Sequence, residues 1–310
     1  MFLVCGEALM DVFAVGDTAT GMNLDARVGG SPFNVAVGLA RLAQPVAFLG
    51  AVSRGFLGER LVRALRAEGV SLAHLARSDA PTTLGLVGLD EKGVPSYAFY
   101  GDGAADRQLL PEALPSAASL SNVAALHFGS YTTVVEPTAA TLRALVQREH
   151  GKTLISFDPN VRLNVQPDVA RWREHLAWML PRTDLLKISD EDLGLLMPDR
   201  TIESFAAEAL AHGVTLAVVT RGGEGARAWT AQAEAGVPTP KVTVVDTVGA
   251  GDTFQAALLT WLAEHGSLSP AGLKGLSAAP LTNALGFAAQ AAAITCSRRG
   301  ADMPRRSELN

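Results

Sequence analysis

The chain has only two cysteines in 310 residues, Cys5 and Cys296, far apart and without a C-x-x-C spacing. That excludes a disulfide framework and a structural zinc site, and it fits a reducing compartment. Basic excess is also missing: 26 Lys and Arg stand against 31 Asp and Glu, a formal charge of −5. Such a surface cannot neutralise a phosphate backbone or an anionic membrane, so neither nucleic acid nor a membrane is an expected partner. The longest apolar stretches, such as Ala284–Cys296, are too short and Ala-rich to span about 30 Å of hydrocarbon. The opening Met-Phe-Leu-Val-Cys-Gly-Glu has no basic start, since Arg27 is the first basic residue, and Glu7 and Asp11 interrupt it, unlike a signal peptide. The expected location is the cytoplasm. There is no G-x-x-x-x-G-K-[ST], G-x-G-x-x-G, H-E-x-x-H or G-x-S-x-G, which argues against a P-loop NTPase, an ordinary dinucleotide dehydrogenase, a zincin and an α/β-hydrolase. The histidines, His74, His127 and His212 among them, show no paired spacing.

What is present is a compact globular composition, 48% hydrophobic and 18% charged with 30 Gly. Strand-length apolar runs alternate with helix-length amphipathic segments, the pattern of βαβ units around a mostly parallel sheet. The expected strands are Phe2–Cys5, Val46–Val52, Val123–Phe128, Thr153–Asp158, Asp184–Ser189, Thr215–Thr220 and Lys241–Asp246. Helical spacing is visible in Leu57, Leu61 and Leu65, and in Phe254, Leu258 and Leu262. Residues 12–30 and 82–101 break this rhythm with short strands and Gly-rich turns. They are expected to form a small separate sheet acting as a lid, or else a surface hairpin.

The densest chemical signal is residues 244–254, Val-Val-Asp-Thr-Val-Gly-Ala-Gly-Asp-Thr-Phe. A Gly-Ala-Gly turn feeding a helix leaves unpaired N–H groups at the positive end of the dipole, a phosphate site without side-chain charge. Asp252 would stand beside that phosphate as a base for an attacking hydroxyl, although Asp252-Thr253 also suits an N-cap. In Gly29-Gly30-Ser31-Pro32-Phe33-Asn34, Ser31 and Pro32 read as N-cap and first helical residue. Asn34 then offers an amide to sugar hydroxyls, or merely to solvent. Asp158-Pro159-Asn160-Val161-Arg162 and Thr220-Arg221-Gly222-Gly223-Glu224-Gly225 each follow a strand, where α/β sheets collect ligand groups. Both also read as ordinary turns.

With both glycine motifs in view, the chain resembles the ribokinase-like carbohydrate kinases, the PfkB family, over essentially its whole length. GGSPFNVAVGLARL (29–42) looks like that family's N-terminal signature and DTVGAGDTF (246–254) like its C-terminal one. The resemblance implies a single kinase domain over 1–310: an α/β, Rossmann-type three-layer core with a mostly parallel sheet, plus a small β-sheet lid. It implies ATP-dependent phosphorylation of a sugar, with magnesium as the nucleotide counterion. Asp252 matches the family's base, and Gly249, Ala250 and Gly251 match its anion hole. Asp11, Gly30 and Asn34 match sugar-binding positions, and Thr220, Gly222 and Gly225 match the nucleotide loop. Asp246, Val248, Thr295, Arg298 and Gly300 fall where a monovalent cation, often potassium, is placed. The family's Asn-x-x-Glu, linked to magnesium and phosphate, reads here Ser189-Asp190-Glu191-Asp192. Within the family, GGSPFNVA, the Tyr97–Arg107 stretch, Asp-Pro-Asn-Val-Arg and Ile294–Ser297 look most like the bacterial fructokinase group, with Phe99, Gly101 and Arg162 deciding the sugar. The 2-keto-3-deoxygluconate kinases share Asp-Pro-Asn-x-Arg but carry a lid Tyr-x-Arg suited to a carboxylate, where this chain has Gly101. A non-catalytic sugar or nucleotide sensor is the third reading, and a homodimer paired through the lid is the expected assembly.

Overall fold

The computed structural model describes residues 1–89 and 95–309. In chain order its strands are β1 Phe2–Cys5, β2 Leu9–Thr18, β3 Gly21–Gly29, β4 Val46–Ser53, β5 Leu75–Ser78, β6 Leu84–Leu89, β7 Pro95–Tyr100, β8 Ala125–Gly129, β9 Leu154–Asp158, β10 Leu185–Ser189, β11 Leu216–Thr220, β12 Ala226–Trp229 and β13 Glu234–Val237. The helices are α1 Ser31–Arg41, α2 Phe56–Ala67, α3 Thr138–Glu149, α4 Val169–Met179, α5 Asp190–Leu196, α6 Ile202–Ala211, α7 Ala250–Glu264, α8 Pro270–Lys274 and α9 Ala278–Cys296.

A nine-stranded sheet runs β13-β12-β11-β10-β9-β8-β1-β4-β5, parallel from β5 to β11 and antiparallel at the β12 and β13 edge. Its strands are apolar on both faces because helices cover both. Alternate residues of β1 show this directly. Phe2 and Val4 pack with α1, α2, α7 and α9, whereas Leu3 and Cys5 pack with α3, α4, α5 and α6. The three-layer α/β core follows, with β9 at the middle of its sheet.

A second sheet, β3-β2-β6-β7, is drawn from the two segments that break the sequence rhythm. Its β2 and β6 are parallel and its other pairs antiparallel. The stretch 90–94 of the second segment lies outside the described residues. The sheet begins earlier than residue 12, because Leu9, Met10 and Val12 are buried in the main core before the chain leaves it.

The expected strand Lys241–Asp246 is not one. Its segment is irregular, Val244 and Val245 are exposed, and the N–H groups of Val245 and Asp246 both donate to the Cys296 carbonyl, at 2.8 and 3.2 Å. The β12–β13 hairpin forms that edge of the sheet, and this β-branched run is bonded to the end of α9 instead. Sequence pattern alone could not separate it from a strand.

Between β1 and β2, Glu7 is almost completely buried, and Thr132 Oγ1 donates to its Oε2 at 2.8 Å. Burial pushes the Glu7 carboxyl up from 4.5 to about 7, against the hydrogen bonds from Ser130 and Thr132 that pull it down. The folded state therefore holds a proton that the unfolded chain releases, so this contribution to stability is complete below pH 4.5 and is lost as pH rises through about 7. Glu7→Gln should remove that part of the slope, a difference of about 3 kcal/mol or less accumulated across the window. Urea midpoints of the two proteins at a series of pH values would show it; parallel stability curves would refute it.

Candidate active site

The carboxyl ends of the parallel strands point at the start of α7. Gly249 precedes that helix in the left-handed region, φ 76°, and a Cβ there would stand 2.5 Å from the Ala301 Cβ, so only glycine closes the turn. The turn presents the N–H groups of a fifteen-residue helix at its positive end. Asp252 does not cap this helix. Ser31 Oγ donates to its Oδ1 at 2.6 Å and Asn34 Nδ2 to its Oδ2 at 2.8 Å. Ser31 is accordingly not the N-cap of α1; Gly30 holds that place with φ 104°, and the Ser31 hydroxyl is spent on Asp252. Burial pushes the Asp252 carboxyl up, while Ser31, Asn34, Lys187 and Arg162 draw it down. Asp252 is thus a buried carboxylate held in one orientation beside an anion-binding turn, an arrangement that can take a proton from a hydroxyl placed between them.

Asp11 on β2 faces the same space. Its carboxylate fills the room left by two glycines: an added Cβ would lie 2.1 Å from Oδ2 at Gly29 and 3.0 Å from Oδ1 at Gly85. The Phe99 ring packs against Gly85 from β7, 3.3 Å from the same hypothetical carbon. Burial raises Asp11 to about 6, Arg162 opposes this, and Asp252 adds to it. Asp11, Asn34, Phe99, Arg162 and Asp252 therefore surround one cleft between the two sheets. Gly30 shapes its wall, since a Cβ there would stand 2.9 Å from the Glu7 carbonyl oxygen. Gly101 is filled from behind: a Cβ would sit 2.5 Å from Arg107 Nη2, and Arg107 is held by Asp102 at 2.9 Å and stacks 5.6 Å from the Tyr131 ring centre.

On the other side of α7, Thr220 ends β11 and leads into the Gly222–Gly225 turn. Gly225 has φ 94° and lies so close to Val237 that a Cβ would stand 1.9 Å from its carbonyl oxygen, whereas a Cβ on Gly222 or Gly223 would meet nothing within 4 Å among the described residues. Thr239 Oγ1 donates to the Gly222 carbonyl at 2.5 Å, tying this open cradle to the 238–246 segment. Asp246 closes the neighbouring loop by accepting from Val248 N at 3.0 Å and Gly300 N at 2.8 Å. Thr295 is buried against Thr253, with 2.9 Å between hydroxyls, and the Arg298 side chain turns away to Glu308 and Asp302. These five positions lie around one loop whose single carboxylate, Asp246, is already engaged by two backbone N–H groups. Among the described residues no three His, Cys, Asp or Glu side chains converge on a metal position. Arg27 of β3 reaches this loop, donating to the Arg299 carbonyl at 3.2 Å.

Of the Ser189–Asp192 stretch, Ser189 caps α5 by accepting from Asp192 N at 3.0 Å. Asp192 accepts from Val161 N at 3.1 Å and so fixes the 158–162 turn. Burial raises Asp192 to about 6, with Asp158 adding to the rise. Two residues in this site were missed by motif reading. Ser31 reads as a cap in the linear order, and Lys187 lies in no motif, although a lone charge within Leu-Leu-Lys-Ile is itself a signal in a buried strand. Lys187 Nζ donates to Asp158 Oδ2 at 2.8 Å.

Residues 1–307 match the model of the pfkB family carbohydrate kinases. A fructokinase of Rhizobium leguminosarum bv. trifolii is 36% identical over 283 residues, 91% of this chain and 86% of that one. The solved structure of a fructokinase with bound ATP from Xylella fastidiosa has a TM-score of 0.88 at 28% identity, covering 99% of this chain and 96% of that one. A fructokinase from Vibrio cholerae O395, in its fructose, ADP and calcium ion bound form, has a TM-score of 0.81 at 26% identity, with 97% and 94% covered.

The geometry of the glycine turn makes its own forecast. Gly249→Ala combines a left-handed backbone with a collision at Ala301, and should lower stability by about 2 kcal/mol. A shift of the denaturant midpoint checks this, and an unchanged midpoint would mean the turn is not held as described.

Proposed function

The chain belongs to the pfkB family of carbohydrate kinases and is an ATP-dependent sugar kinase, and on that premise we propose that its sugar is fructose, phosphorylated at the C6 hydroxyl. The observation that carries the reading is the Asp252 carboxylate, held by Ser31 and Asn34 beside the Gly249–Gly251 turn. Fructose lies between the second sheet and the core, its hydroxyls met by Asp11, Asn34 and Arg162 and its ring by Phe99. Asp252 takes the C6 hydroxyl proton as that oxygen attacks the γ-phosphorus. The bond from phosphorus to the β–γ bridging oxygen breaks, ADP departs, and the N–H groups of Gly249, Ala250 and Gly251 receive the charge of the transferring group. The nucleotide rests on Thr220, Gly222 and Gly225. Magnesium would come with the nucleotide phosphates and offset their charge on the Asp192 side, and Asp246, Val248, Thr295, Arg298 and Gly300 would hold potassium behind the anion turn, whose Gly249 packs on Ala301.

Gly101 and Arg107 favour a neutral sugar. No guanidinium projects from position 101, and Arg107 is already committed to Asp102 and Tyr131. A substrate carboxylate, as in 2-keto-3-deoxygluconate, would have to compete with Asp102 for it. The second sheet serves as the lid, excluding water that would otherwise accept the phosphoryl group. Exposed Val15 on β2, with Met22 and Leu24 on the edge strand β3, suit pairing of two lids in a homodimer.

ADP release from magnesium ATP, with and without potassium, should be strong with fructose and weak with 2-keto-3-deoxygluconate, ribose, fructose 6-phosphate and adenosine. Preference for the keto acid would overturn the substrate, and silence on every sugar would favour the sensor. Asp252→Asn should lower kcat by about 10³-fold or more while nucleotide binding, followed by calorimetry, is retained. A folded variant with near-normal turnover would remove Asp252 from the role of base.

A further inference from the structure

Behind the glycine turn lies a buried cation that the reaction as written does not use. Lys187 is only 4% exposed, and the ammonium donates to Asp158 Oδ2 at 2.8 Å. An ammonium has three donors, and among the described residues Asp158 is the only acceptor Lys187 is given. On its other side Nζ stands 3.1 Å from the position a Cβ on Gly251 would take, so it abuts the backbone of the anion turn itself. A buried ion pair needed only for packing is often replaceable by apolar residues without loss. This one is instead seated against the turn where negative charge develops.

We propose that Lys187 is a positioning residue of the phosphoryl-transfer site, its fixed charge keeping Asp252 ionised and adding a positive field beneath the Gly249–Gly251 turn. The inference rests on the reading of Asp252 as base. The charged and titratable groups around Lys187 are His127 on β8, Asp158 on β9, Asp192 on α5 and Asp252 on α7, and Asp252 is faced in turn by Arg162 and by Asp11 on β2. Burial holds His127 near 4 and hence neutral, so the carboxylates and Arg162 set the local field. Burial pulls the Lys187 ammonium down, but Asp158 more than offsets this and its pKa is raised, so it stays charged while Asp252 titrates.

The test is the acid limb of kcat/KM against pH, with kcat and KM measured separately. Lys187→Met combined with Asp158→Asn leaves no unpaired buried charge. It should move the limb up by about one pH unit and lower kcat by about 30-fold or more at neutral pH, with smaller changes in KM. Asp158→Asn alone frees the lysine field and should move the limb down, whereas Lys187→Arg should hold it near wild type. Opposite movement of the two Asp158 variants is the signature that a merely structural pair would not give. Should the double variant fail to fold, Asp158→Asn and Lys187→Arg still carry the sign. Limbs that stay in place, or that move the same way in both Asp158 variants, overturn the proposal. An inactive Asp252→Asn alongside unmoved limbs would refute the lysine role alone, whereas an active Asp252→Asn would refute the base on which it stands.

Discussion

The site exists because one carboxylate joins two helices that are remote in sequence. Asp252 on α7 accepts from Ser31 and Asn34 on α1, and those bonds are short only because the helices touch backbone to side chain. At Gly38 of α1 a Cβ would stand 2.7 Å from the Ala256 Cβ and 2.8 Å from the Met303 sulfur. Glycine facing alanine sets the interhelical approach, and that approach sets where the carboxylate can be held. The same contact explains why Asp252 can be buried at all: two neutral donors and two nearby cations, Lys187 and Arg162, offset much of what desolvation costs a charged group.

The fold was largely legible because parallel strands buried on both faces leave unambiguous apolar runs, and β1, β8, β9, β10 and β11 lie within two residues of where the sequence places them. The exceptions have physical causes. Val242, Val244 and Val245 carry β-branched character although their run is bonded to the end of α9, while the short β12 and β13 are too polar and brief to stand out. The start of β2 was hidden because its first residues belong to the main core before the strand joins the second sheet.

The site was legible where chemistry is concentrated in a motif, at Gly249–Asp252 and at Gly29–Asn34, and illegible where it depends on a third dimension. Nothing in the linear order shows that Ser31 meets Asp252, that Arg107 fills the space beside Gly101, or that Lys187 lies beneath Gly251. Each of these is a close approach permitted by a glycine or forced by burial, and its partner is at least six residues away. Where the family pattern reads Asn-x-x-Glu, Ser189 and Asp192 of this chain also shape a helix start and the 158–162 turn, which the linear order does not show.

The 221-residue span between Ser31 and Asp252 has a bearing on biosynthesis. A ribosome delivers on the order of 5–20 residues per second, so the N-terminal half of the cleft waits many seconds for the helix that completes it. Through that interval α1 presents an apolar face and two polar side chains with no partner. No fragment ending before α7 can hold the carboxylate, and the arrangement is completed in a single late step, when about the last fifth of the chain docks. On the proposed role of Asp252 as base, turnover in this protein reads out whole-chain assembly, because the α1–α7 contact that holds the carboxylate forms last.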